Sequence, residues 1–73
     1  MELSEAIRLR IDNLLKENGW IYNELIKRSG IHQTTLSEFI SGRSKTLTIR
    51  SVEKIALGFG MTLSQFFDDE VFK

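Results

Sequence analysis

The sequence of 73 residues contains no cysteine and no proline. Without cysteine there is no disulfide bond, no thiolate ligand for a metal ion and no thiol nucleophile, so the protein classes that depend on them are excluded. The apolar runs are only a few residues long, and the N-terminal stretch MELSEAIRLR mixes both charge signs. We therefore expect neither a signal peptide nor a membrane-spanning segment.

Patterns typical of enzymes and metal sites are also missing. His32 is the only histidine, and no acidic cluster lies beside it at ligand spacing, so we expect no metal and no cofactor. Serines are present, but none has a candidate general base near it in a recognisable site. The segment Gly58-Phe59-Gly60 follows a helical pattern and no strand, which argues against a phosphate-binding loop. The sequence predicts a protein without enzymatic activity and with no evident small-molecule ligand.

Ten basic and ten acidic residues give a formal net charge of zero, but they are unevenly distributed. Between residues 27 and 54 there are six basic and two acidic residues, a net charge of +4, and the remainder of the chain carries −4. This split predicts one basic face with an acidic periphery. Charges scattered over a solvated surface would give the same counts.

Apolar residues recur at helical spacing, and no segment alternates with the period of two typical of strands. Capping residues and glycines predict the helix ends. The first predicted helix runs from about Ser4 to Asn18, and the second is a short helix that ends at Gly30. The third runs from Gln33 to Gly42, the fourth from a Thr48 cap to Gly60, and the fifth from a Thr62–Gln65 capping box through Phe67. We expect one all-α domain, residues 1–73, with five helices around one core.

The segment from Tyr22 to Gly42 has the pattern of two short helices joined by a tight turn at Gly30. Two helices joined by such a turn form a helix-turn-helix, whose second helix can enter the major groove of DNA. There, amide and hydroxyl groups distinguish base pairs by hydrogen bonding. The residues expected to read base edges are Gln33, Thr34, Ser37 and Glu38. The same side chains would also suit an ordinary solvated helix face.

These elements together resemble the lambda-repressor/Cro type of helix-turn-helix domain from about Ile7 to Phe67. The residues that carry the resemblance are Leu25, Gly30-Ile31, the polar segment 32–35, Leu36 with Phe39, Gly42, and the step from Phe59 to Leu63. The resemblance implies a sequence-specific regulator of transcription that binds double-stranded DNA, a repressor more readily than an activator. It also implies a cytoplasmic protein of prokaryotic or phage type, associated with the nucleoid.

Side chains around this segment are expected to bind the DNA backbone, because phosphate contacts position a protein on DNA without reading its sequence. Arg43 to Lys45 form a polar loop directly after the helix stop at Gly42. The expected phosphate-binding residues are Tyr22, Asn23, Thr35, Arg43, Ser44 and Lys45. The alternative is an ordinary solvated loop.

The sequence departs from the family pattern at several positions. Ile21 replaces the usual Ser or Thr cap of helix 2, and Tyr22 replaces a Gln that commonly supports a phosphate contact. Ile26 replaces a small residue, which predicts a slightly wider crossing of helices 2 and 3. Leu15 and Ile40 replace the Arg–Glu ion pair that many relatives form. Since both partners of that pair are apolar here, no buried charge is left without a partner.

Relatives of this type commonly bind two half-sites as twofold dimers, so the resemblance implies a homodimer. The end of the chain carries more apolar bulk than one core needs, and the residues expected at the partner surface are Phe67, Val71 and Phe72. They could instead fold back onto helix 1. A second class of function also stays open: a helical protein-interaction module on the same scaffold, either an antitoxin-like half of a complex or a partner subunit.

Overall fold

The computed structural model describes residues 2–73, and Met1 lies outside this range. Within it there are five α-helices and no strand, so the predicted all-α fold is confirmed. The helices are α1 (Leu3–Asn18), α2 (Tyr22–Ser29), α3 (Gln33–Ser41), α4 (Ile49–Gly58) and α5 (Leu63–Phe67). A short 3₁₀ turn at Glu70–Phe72, which the sequence pattern does not predict, follows α5.

The helix ends are set by local signals. Thr62 and Gln65 form the predicted capping box: the Gln65 amide donates to Thr62 Oγ1 at 3.1 Å, and the Thr62 amide donates to Gln65 Oε1 at 2.9 Å. Gly30 and Gly42, which follow α2 and α3, have φ angles of +73° and +85°. Glycine adopts this left-handed conformation at little cost, so both helices end where the sequence predicts.

All five helices contribute to one core, which holds the inner side of α3 in place. The largest fully buried side chains are Ile11, Leu25, Leu36, Phe39, Ile55 and Phe66. Burying one such side chain stabilises a fold by about 1.5–3 kcal/mol relative to leaving it exposed. Two of these six, Leu36 and Phe39, belong to α3. Because they hold one side of α3 against the core, the opposite side of the helix faces solvent.

Helix α2 lies in direct contact with α4 because Gly58 has no side chain. A Cβ atom placed on Gly58 would lie 2.9 Å from the Cβ atom of Ser29 and 3.1 Å from its Cα atom. Carbon atoms pack best at about 3.5–4.0 Å, so any side chain at this position would push the end of α2 away from α4.

A stack of side chains around Trp20 makes a second connection between α2 and α4. The ring of Phe59, directly after α4, is stacked on the Trp20 ring with centroids 5.4 Å apart. On Trp20, the Arg28 guanidinium carbon lies 4.3 Å from the ring centroid, and Arg28 pairs with Glu24 at 2.6 Å. Because Arg28 is in the last turn of α2 and Phe59 directly follows α4, the stack joins the two helices.

Arg10 connects α1 to the end of α5, a role that the sequence pattern does not predict. Its Nε donates to the carbonyl oxygen of Phe66 at 2.8 Å, and Nη2 donates to that of Gln65 at 3.1 Å. Nη1 donates to Asp69 Oδ2 at 3.0 Å in an ion pair. A cation is favourable at a helix C-terminus, where carbonyl groups carry partial negative charge. Arg10 therefore stabilises both the end of α5 and the chain that follows it.

The C-terminal residues fold back so that the 3₁₀ turn packs against α1. The rings of Phe67 and Phe72 are 4.9 Å apart, and Phe72 also lies 6.2 Å from the ring of Phe66. This is the intramolecular alternative described above. Phe67, Val71 and Phe72 are each half-buried, which leaves part of their surface open, so the dimer interface stays a prediction.

We expect Gly58→Ala to lower the free energy of unfolding by about 1–3 kcal/mol, because the new methyl group overpacks the contact with Ser29. Alanine in a helix normally stabilises by about 0.5–1 kcal/mol relative to glycine, so the contact reverses the usual sign. Urea unfolding measures the change. The control Glu53→Ala, at an exposed position of α4, should alter stability by less than about 0.5 kcal/mol. Equal or greater stability of Gly58→Ala would show that α2 and α4 are further apart.

Candidate nucleic-acid interface

The outer side of α3 presents the residues predicted to read bases. Leu36 and Phe39 are each only 1 % exposed and fix the inner side of the helix. The four predicted base-reading residues are all exposed: Gln33, Thr34, Ser37 and Glu38. The structure thus brings them together on the solvent side of one short helix.

Ser41 belongs to the same surface but was not among the predicted site residues. It lies four residues after Ser37 and seven after Thr34, the spacing that places side chains on one helix face. It is exposed, and its Oγ donates to the carbonyl oxygen of Glu38 at 3.1 Å. The helical spacing itself is the sequence signal that identifies it.

The start of α2 offers main-chain amides to an anion. No side chain within residues 2–73 caps this helix, because Ile21 at the capping position has no acceptor. The first amides of a helix have no partner within the helix and favour negative charge. Asn23 is exposed here and Tyr22 is half-buried.

The Tyr22 hydroxyl keeps its proton at neutral pH. Burial raises the pKa of Tyr22 above its ordinary value of 10.0, and the nearby carboxylate of Asp12 raises it further. A protonated phenol can donate a hydrogen bond to a phosphate oxygen. The half-buried position of Tyr22 therefore remains compatible with its predicted role.

A cleft of about 300 Å³ lies between α2 and α3 and is lined by some of the predicted residues of both helices. Tyr22 and Asn23 line it from α2, and Gln33, Ser37 and Ser41 line it from α3. Its apolar lining consists of Ile26, Leu36 and Ile40. Two predicted phosphate-binding residues and two predicted base-reading residues thus meet at this cleft, and the other residues of these two groups do not line it. Those outside the cleft lining are Thr34, Thr35, Glu38, Arg43, Ser44 and Lys45.

The loop between α3 and α4 is organised by Ser44. Its main-chain amide donates to the carbonyl oxygen of Glu38 at 3.1 Å, and its hydroxyl donates to that of Thr46 at 3.0 Å. Because a hydroxyl has one proton to donate, Ser44 could bind a phosphate oxygen with it only by giving up the bond to Thr46. Arg43 and Lys45, on either side of Ser44, are exposed.

Thr35 is exposed on α3 but points about 100° away from Thr34 around the helix, given 3.6 residues per turn. It therefore lies at the edge of the face that carries the predicted base-reading residues.

Free positive charge is concentrated in the predicted basic segment. Five of its side chains are exposed and form no ion pair among the residues that the structure describes: Lys27, Arg43, Lys45, Arg50 and Lys54. Of the basic residues in segment 27–54, only Arg28 is paired, with Glu24. The basic side chains are therefore available to an anionic partner.

The described part of the chain lacks the features of two other kinds of site. None of its helices has the length and apolarity needed to cross a membrane. Across residues 2–73, no three His, Cys, Asp or Glu residues lie together in a group that could hold a metal ion.

The family of the chain follows from comparison with known protein families. Residues 10–71 match the family described as the Cro/C1-type HTH DNA-binding domain. Because this match covers most of the chain, the protein belongs to that family, and the resemblance seen in the sequence is confirmed. It is a DNA-binding helix-turn-helix protein, with α2 and α3 as the two helices of the motif. Searches of curated proteins and of solved structures gave no match.

Proposed function

We propose that this protein is a transcriptional repressor that binds a specific double-stranded DNA sequence with α3 in the major groove. One observation carries the proposal: exposed amide and hydroxyl groups of α3 share a cleft with the uncapped start of α2, and the basic loop follows α3 directly after Gly42. Helix-turn-helix proteins combine groups for reading bases with flanking groups for binding phosphates. A domain bound over a promoter blocks access by other proteins, which is why we favour repression.

Each residue of α3 has a role that follows from its chemistry. The Gln33 amide can bind adenine through two hydrogen bonds, and the Glu38 carboxylate can accept a hydrogen bond from cytosine N4. The hydroxyl of Thr34 or Ser37 can bond to a base edge, and the Thr34 methyl group can contact a thymine methyl group. Tyr22, Asn23 and Thr35 would bind phosphates beside them.

For Gln33→Ala we expect a loss of about 1–3 kcal/mol of binding free energy on the preferred site, with relaxed preference at one base pair. The site is first selected from random duplex DNA, and affinity is then measured for every single base-pair variant. Thr35→Ala, the matched control from the edge of the same helix, should weaken binding to all variants alike. If Gln33→Ala also weakened all variants alike, Gln33 would not read a base.

The basic loop should contribute affinity without sequence information. Neutralising a phosphate releases condensed counterions, so Arg43→Ala and Lys45→Ala should each lower the slope of log affinity against log salt by about one unit. Lys16→Ala removes one positive charge from the exposed side of α1 and should leave the slope unchanged. Full slopes in both loop variants would place the loop away from DNA.

We also propose that two copies bind together, each placing α3 in the major groove. Half-sites of twofold helix-turn-helix dimers lie about 34–36 Å apart. The half-exposed C-terminal residues Phe67, Val71 and Phe72 are the proposed contact.

Val71→Asp tests this contact best, because Phe67 and Phe72 also pack on Phe66 within one chain. We expect the variant to fold, to sediment as a monomer, and to bind a palindromic site at least about tenfold more weakly, a loss of about 1.4 kcal/mol. Val71→Ala is the control for lost bulk without added charge. Binding of one wild-type copy per palindrome at full affinity would contradict the dimer.

The alternative function, a protein-interaction module, has one observation in its favour. Ile21, Ile49 and Leu57 are each about two-thirds exposed, at 68 %, 66 % and 64 %. Such apolar side chains suit a protein partner better than DNA. Selection from random duplexes separates the two functions, because an interaction module would enrich no sequence.

A further inference from the structure

Arg8 connects α1 to the C-terminal end of α3. Its Nη1 donates a hydrogen bond to the carbonyl oxygen of Phe39 at 3.3 Å, and its guanidinium carbon lies 5.4 Å from the centroid of the Phe39 ring. The Phe39 side chain is itself buried in the core. Arg8 therefore contacts both the main chain and the side chain of one buried residue near the end of α3.

The Phe39 carbonyl oxygen lies in the last turn of α3, just before the loop begins. The Gly42 amide, at the C-cap of α3, also donates to this oxygen, at 3.2 Å. No basic residue lies in the last turn of α3 itself. Since a helix C-terminus carries partial negative charge, Arg8 supplies from α1 the cation that α3 lacks.

The remaining contacts of α3 with the core restrain this end of the helix less sharply. Leu15 is buried and Ile40 is half-buried, and both pack within the apolar core. Apolar burial is non-directional, whereas a hydrogen bond from a guanidinium has a preferred distance and angle. The contact from Arg8 to Phe39 is the directional one between α1 and α3 among the hydrogen bonds of residues 2–73.

We propose that Arg8 is a positioning residue for DNA reading, which fixes the last turn of α3 and the start of the phosphate-binding loop relative to α1. Ser41 and Arg43 lie within four residues of Phe39, and Ser37 lies two residues before it. Their side chains keep one register on DNA because Arg8 holds the carbonyl group between them. Gln33, at the far end of α3, does not depend on this contact. The inference rests on the proposed binding of DNA by α3.

The test compares base discrimination, the ratio of affinities for the preferred base pair and for its variants, between the wild-type chain and Arg8→Met. This variant keeps a long apolar side chain and loses the charge and the hydrogen-bond donors. Ser41→Ala and Ser37→Ala first identify the base pairs that the C-terminal half of α3 reads, and Gln33→Ala identifies the one read by the other end. In Arg8→Met we expect discrimination to fall about five- to tenfold at the base pairs that the C-terminal half of α3 reads. Discrimination at the base pair that Gln33 reads should be retained. Arg8→Lys, which retains a charged donor, should restore most of it.

Two controls separate positioning from general effects. Lys16→Met removes one positive charge from α1 without touching α3, and should leave discrimination at every base pair unchanged. Thermal unfolding of each variant measures its stability. A loss of stability would weaken binding to all sequences by the same factor and leave the discrimination ratios intact. If Arg8→Met does not fold, Arg8→Gln is used instead, because its amide is too short to reach Phe39 and the same selective loss is expected.

Full discrimination in the folded neutral variant, or a uniform loss at all base pairs, would overturn the positioning role. A selective loss that Arg8→Lys repairs would support it. These outcomes are distinguishable from failure of the proposed function, since a wild-type chain that enriches no duplex sequence would remove DNA reading itself, whatever Arg8 does.

Discussion

The orientation of α3 depends on the close contact between α2 and α4. Ser29, the last residue of α2, lies against Gly58, and a Cβ atom placed on Gly58 would lie only 2.9 Å from the Cβ atom of Ser29. The Ser29 hydroxyl also accepts a hydrogen bond from the Ile31 amide at 3.2 Å, within the turn that leads to α3. One residue thus joins the α2–α4 contact to the turn, so a shift of α2 would be passed on to the helix proposed to read DNA.

Helix α1 restrains the other side of the domain through two arginines. Arg8 reaches the end of α3, and Arg10 reaches the end of α5 and the Asp69 carboxylate. Both donate to main-chain carbonyl groups near helix C-termini, where a cation is favourable. Because α3 is held at its start through the turn after Ser29 and at its end through Arg8, its polar side chains project from a fixed support. Such support is what a reading surface needs if it is to favour one base sequence.

The helix boundaries were predictable because their signals are local: Thr48, the Thr62–Gln65 box and the glycines act within a few residues of themselves. The exposed face of α3 followed from helical periodicity for the same reason. Arg10 was not predictable, since its main-chain partners lie 55 and 56 residues away and acceptance by a carbonyl group leaves no sequence pattern. The hydrogen bond from the Ser44 hydroxyl to the Thr46 carbonyl oxygen was not predictable either, because it depends on the geometry of the loop. This bond uses the donor that the sequence alone would assign to a phosphate contact.

The central claim is that the face formed by α3, the start of α2 and the basic loop binds double-stranded DNA. Backbone amide chemical shifts, recorded while a duplex selected from random DNA is added, test it most directly. The largest changes are expected at residues 22–23, 33–38 and 41–45, with small changes on the outer side of α1 and in α5. Changes concentrated around Ile49 and Leu57, with α3 unaffected, would contradict it.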